Sequence, residues 1–159
     1  PHACFSDSIG GHQMRRVIVL LGFLLAITLA WSNASLAELA QALTEGQQLA
    51  AAGDIQGALS VYEAMTRSHP DSHEAFAHLG GMQLLDQRYA DAVKSFQRAI
   101  SLGDDGTRSF IGMGMAYLHM GQPGPARAAF VEAKSRGAEH PTDIDDIIRW
   151  IDSRDRSAP

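Results

Sequence analysis

The sequence predicts an all-α solenoid of stacked helix–turn–helix units, and three observations carry that prediction. The first is a step of 34 residues at which side chains recur: Gly46, Gly80 and Gly114, then Ala58, Ala92 and Ala126, then Tyr62, Phe96 and Phe130. Phe76 and Phe110 keep a fourth position in two copies, and Ala99 and Ala133 a fifth. Self-similarity at a period of a few tens of residues is the mark of repeat architectures. The second is the spacing inside a copy. The alanine and the aromatic stand four apart, on one face of a helix. A glycine inside a helix costs about 1 kcal/mol against alanine, which is tolerable where a neighbouring side chain must sit against the backbone. The third is the placing of chain breakers between the periodic stretches.

Taken in order, the helices are predicted near 38–52, 55–68, 72–86, 89–102, 107–120 and 123–136. Ala52-Gly53-Asp54 and Met120-Gly121-Gln122 are turns within a copy. His69-Pro70-Asp71-Ser72 divides the first copy from the second, since Pro70 cannot continue the helix before it. Gly103-Asp104-Asp105-Gly106 divides the second from the third. Pro123 suits the first position of a helix, where its missing N–H costs nothing. A seventh helix, over about 142–153, follows His140-Pro141. Thr142 is its predicted N-cap, and Asp143, Asp145 and Asp146 favour its positive end. Ile144, Ile147, Ile148 and Ile151 give it an apolar stripe. The expectation is a capping helix over the open end of the last unit, followed by a short tail at 154–159.

Ahead of the array lies a hydrophobic segment. Arg15 and Arg16 precede an uncharged run from Val17 to Ala30, and Ser32-Asn33-Ala34 and Ser35-Leu36-Ala37 each offer small residues for a cleavage site. The run is shorter than the roughly 20 residues needed to cross a bilayer. Residues 14–37 therefore read as a secretory signal peptide, with an uncleaved membrane anchor as the alternative. Met14 stands directly before the arginines, so residues 1–13 are expected to be upstream or added sequence. They hold Cys4, the one cysteine, which excludes an internal disulfide framework and a multi-cysteine metal site.

The repeat resembles the tetratricopeptide repeat family. The second copy carries the likeness on Phe76, Leu79, Gly80, Tyr89, Ala92, Phe96 and Ala99. The third carries it on Phe110, Gly114, Tyr117, Gly121, Ala126, Phe130 and Ala133, and the first, less fully, on Gly46, Gly53, Ala58, Tyr62 and Pro70. Ala42, Gln83 and Asp104 depart from the family's usual residues. The resemblance implies a right-handed solenoid of three units, near 39–72, 73–106 and 107–140. It also implies a concave groove lined by the first helix of each unit. Carried over to this sequence, the groove positions are Ala40, Leu43, Gln47, Ala50 and Ala51; Glu74, Ala77, Gly81, Leu84 and Leu85; and Arg108, Ile111, Met115, Leu118 and His119. Most are apolar or small. The family's carboxylate clamp of lysine, asparagine and arginine is missing, since Leu43, Gln47, His78 and Gly112 stand at its positions. An acidic tail is therefore not the expected ligand. An apolar or amphipathic segment of another protein is, with Met115 able to adapt to several partners.

Other chemistry finds little support. Formal net charge is −5 with a pI near 5.7, so nucleic acid is a poor candidate partner. His69, His73 and His78 are separated by Pro70 and by a five-residue step, which predicts surface histidines turned away from each other; only His119 stands at a groove position. Asp143, Asp145, Asp146, Asp152 and Asp155 lack the glycine and closing glutamate of a calcium loop. Neither a phosphate loop nor a nucleophile motif is present, and no cofactor is expected. The favoured reading is a non-catalytic adaptor or assembly factor of the bacterial cell envelope, periplasmic or secreted, with an inner-membrane anchored form facing the periplasm as the alternative. The alternatives are a self-assembling filament or ring and a cytosolic secretion chaperone.

Overall fold

A computed structural model describes residues 37–155. The chain divides into two units, Pro1–Gln41 and Ala42–Pro159. Of the first, only the helical residues 37–41 are described; the signal or anchor segment and the upstream residues lie outside the described part. Residues 37–51 are helical (α1). They are followed by α2 (Ile55–Ser68), α3 (His73–Leu85), α4 (Tyr89–Ser101), α5 (Thr107–His119), α6 (Pro123–Ser135) and α7 (Pro141–Asp155). No strand occurs among the described residues. No helix among them is long and apolar enough to cross a membrane.

Local chemistry sets the boundaries. Asp54 caps α2 by accepting from the Gly57 N–H at 2.9 Å, and Ser72 caps α3 by accepting from the Ala75 N–H at 3.2 Å, each satisfying a donor the helix leaves open. Pro123 opens α6. The seventh helix corrects one expectation: Pro141 takes its first position, and the Ile144 N–H reaches back to the His140 carbonyl. Thr142 therefore lies inside the helix and is not its N-cap. Proline outcompetes threonine for the helix start because its φ is already helical and it has no N–H to satisfy.

The turns repeat as the side chains do. Gly53, Gln87 and Gly121, each 34 residues on from the last, end the first helix of a unit with positive φ of 80°, 63° and 68°. Gly103 and Gly137 do the same after α4 and α6, at 100° and 81°. Gln87 is the one described residue with a side chain that takes this left-handed conformation.

Packing follows the predicted register closely. A Cβ on Gly46 would lie 2.5 Å from the Tyr62 ring, on Gly80 2.9 Å from the Phe96 ring, and on Gly114 2.9 Å from the Phe130 ring. Each unit thus beds its aromatic on the bare backbone of its own first helix. Phe96 also meets Gly112 on α5, where a Cβ would overlap the far edge of the ring. The ring is shared by two successive units. The slot that Gly112 fills is taken one unit earlier by His78, whose ring lies flat on Tyr62 with centroids 5.1 Å apart. Phe130 is fully buried in a cluster with Phe110, Ala126, Ala133, Ala138, Ile144 and Ile151, so α7 closes the last unit. Two exposed ion pairs, Arg127–Asp152 and Lys134–Asp145, both at 2.6 Å, tie α7 to α6.

Two departures from the family pattern, Gln83 in α3 and Asp104 in the loop after α4, each have a local partner. Gln83, buried in α3, accepts from the Ser95 hydroxyl of α4 at 2.6 Å. The Asp104 carboxylate accepts from the Ser109 hydroxyl and, at 2.9 Å, from the Gly106 N–H, which fixes the entry to α5.

Candidate functional site

A cavity of about 610 Å³ opens between α3, α5 and α7. Its apolar lining comes from Ala77 on α3, Ile111 on α5, Phe130, and Ile144 and Ile147 on α7. These residues converge because α7 sits in the register of a fourth unit's first helix: Ile144 follows Phe110, and Phe110 follows Phe76, by the same 34 residues. The polar lining comes from His73, Glu74 and His78 on α3, from Asp104, Thr107, Arg108 and Ser109 around the start of α5, and from Glu139, His140 and Asp143 around the start of α7.

The structure places the groove residues unevenly. Ala77, Arg108 and Ile111 line the cavity, as does Glu74. Leu43 and Gln47 stand on α1, outside it. Further along α3, Leu84 packs against the cluster of Ala92, Val93, Phe96 and Ala116. Leu85 is 61% exposed, and a Cβ on Gly81 would meet nothing within 4 Å. Further along α5, Met115 and Leu118 are partly buried and pack against the cluster that holds Ile144 and Ile151. His119 is exposed and stacks on Tyr89, with centroids 4.6 Å apart and planes 2° from parallel.

The structure also corrects the reading of the histidines. His73 and His78 both line the cavity, and His78 is half-buried against Tyr62 rather than on an open surface. Burial holds the His78 imidazole below its ordinary pKa, Arg108 adds to the effect, and Glu74 opposes it. His78 is therefore neutral at pH 7. No group of His, Cys, Asp and Glu among the described residues is arranged to hold a metal ion. Sequence reasoning missed the wall formed by Glu139, His140, Asp143, Ile144 and Ile147. Its signal was the continuation of the 34-residue step into α7.

Residues 43–107 match the family model described as tetratricopeptide repeat. No characterised protein matches by sequence. Several solved structures share the fold at low identity. One is the complex of the TPR2B domain of yeast Sti1 with pHsp70: 16% identical, TM-score 0.69, covering 74% of this chain and 98% of that one. A type III secretion complex from Aeromonas hydrophila is 17% identical, with TM-score 0.72 and coverage of 76% and 84%. The Yersinia enterocolitica type III secretion chaperone SycD, in complex with a peptide of the translocator YopD, is 17% identical, with TM-score 0.69 and coverage of 74% and 94%. Residues 43–107 thus carry tetratricopeptide repeat sequence, and the described helices, with the glycine–aromatic bedding repeated in three successive hairpins, have the fold of tetratricopeptide repeat domains.

Proposed function

We propose that the protein is a non-catalytic interaction module that holds an apolar or amphipathic segment of another protein in the cavity between α3, α5 and α7. The observation that carries this reading is the cavity itself: a hollow of about 610 Å³, floored by Ala77, Ile111 and Ile147, on the first helices of the units. Its size falls in the usual range of ligand sites, roughly 300–1,000 Å³. Solved structures of the same fold are complexes with pHsp70 and with a peptide of a secretion translocator, which supports a protein partner. The apolar run after Arg15 and Arg16 supports export, and with it a role as an adaptor or assembly factor of the bacterial envelope.

The test is photo-crosslinking in cells, with a benzophenone amino acid at Ala77 or, on the exposed face of α6, at Val131. Partner adducts at Ala77 and not at Val131 support the cavity as the site. Equal adducts at both positions refute it. A second reading, a cytosolic secretion chaperone, is favoured by the likeness to SycD. Sequencing the N-terminus of the cellular protein separates the two. A start near Ser35 supports export, and an intact Met14 in the soluble cytosolic fraction supports the chaperone.

A further inference from the structure

The charge around the cavity is unbalanced. Glu74, Glu139 and Asp143 line it, are exposed, and pair with no Lys or Arg among the described residues. The opposing charge in the lining is the Arg108 guanidinium alone. Six carboxylates elsewhere on the array, Glu63, Asp91, Glu132, Asp145, Asp146 and Asp152, sit in ion pairs. An acidic ligand would bring like charge to this rim and raise the cost of removing it from water. A cationic ligand would compensate three carboxylates that the protein itself leaves unmatched, while its apolar side covered Ala77, Ile111 and Ile147.

We infer that the cavity takes a basic amphipathic segment of a partner protein, with apolar side chains on the floor and lysine or arginine side chains at Glu74, Glu139 and Asp143. The inference rests on the reading of the cavity as a peptide site and narrows it to one chemistry. It is the opposite choice from an acidic tail.

The test uses the full chain and three synthetic sixteen-residue helical probes in fluorescence anisotropy. The probes share one leucine–alanine face and carry Lys, Gln or Glu on the other. The Lys probe binds tightest, the Glu probe weakest, and rising salt weakens the Lys probe. The triple variant Glu74→Gln/Glu139→Gln/Asp143→Asn weakens the Lys probe about tenfold. A control variant, Glu45→Gln/Asp86→Asn/Glu132→Gln, changes net charge equally away from the cavity and leaves binding within about twofold. Circular dichroism confirms that both variants keep their helices. If the two triple variants weaken the Lys probe equally, or if the Lys probe does not bind, the inference is overturned. If all three probes bind alike and Ala77→Trp abolishes binding, the charge inference fails while the cavity reading stands. If Ala77→Trp changes binding of no probe, the cavity reading falls and this inference with it.

Discussion

Gly80 and Gly81 are neighbours in α3, and substitution by alanine should move the protein's stability in opposite directions. A Cβ on Gly80 would lie 2.9 Å from Cδ1 and Cε1 of Phe96, a ring that is 2% exposed. The ring cannot retreat, because its far edge already meets Gly112 on α5. Overpacking of this kind costs typically about 1–3 kcal/mol. Alanine's better helix propensity returns about 1 kcal/mol. Gly80→Ala is therefore expected to destabilise by up to about 2 kcal/mol. A Cβ on Gly81 meets nothing within 4 Å, so the propensity gain stands alone, and Gly81→Ala should stabilise by about 0.5–1 kcal/mol. Urea unfolding followed by helical circular dichroism reads both. The midpoint should fall for the first variant and rise for the second, with the slope unchanged. Shifts of the same sign in both variants would refute the packing argument.

Three further outcomes are expected. Gln83→Leu should cost about 1–2 kcal/mol by stranding the buried Ser95 hydroxyl, and adding Ser95→Ala should recover most of it; a double-mutant cycle by urea unfolding measures the coupling. Gln87→Gly should stabilise by up to about 1 kcal/mol, since Gln87 holds a left-handed φ of 63° that glycine adopts freely; equal or lower melting temperature would count against it. His78 should make stability depend on pH. Its folded pKa is depressed, chiefly by burial, so the unfolded chain takes up the proton first as pH falls. The contribution is whole above about pH 6.5 and declines below it. Melting curves across pH 5–8 should show that decline lessened in His78→Gln.

The repeat register was legible in the sequence because it is written many times over: the same glycine, alanine and aromatic return at one step, and the contacts of Gly46, Gly80 and Gly114 with their rings follow from it. Features set by a single pair were not legible. Gln83 read as a departure from the family because its partner Ser95 lies on the next helix, and nothing in either residue alone announces a buried hydrogen bond. His78 read as a surface histidine because its slot is judged by the ring it meets, Tyr62, sixteen residues away. Of the residues read as groove, Ala77, Arg108 and Ile111 line the cavity between α3, α5 and α7. Met115 and Leu118, also read as groove, are partly buried against the cluster that holds Ile144 and Ile151. The capping helix α7 stands where another unit's first helix would stand, and so adds a wall to the cavity that the groove reading did not include.

The placing of Phe96 between Gly80 and Gly112 has a thermodynamic corollary. A hairpin whose ring is wedged into the next hairpin cannot melt by itself without baring that ring, so adjacent hairpins gain or lose order together. Such nearest-neighbour coupling makes the array unravel inward from a terminus rather than at its middle. Amide protons of α4 should accordingly be the last to exchange with solvent.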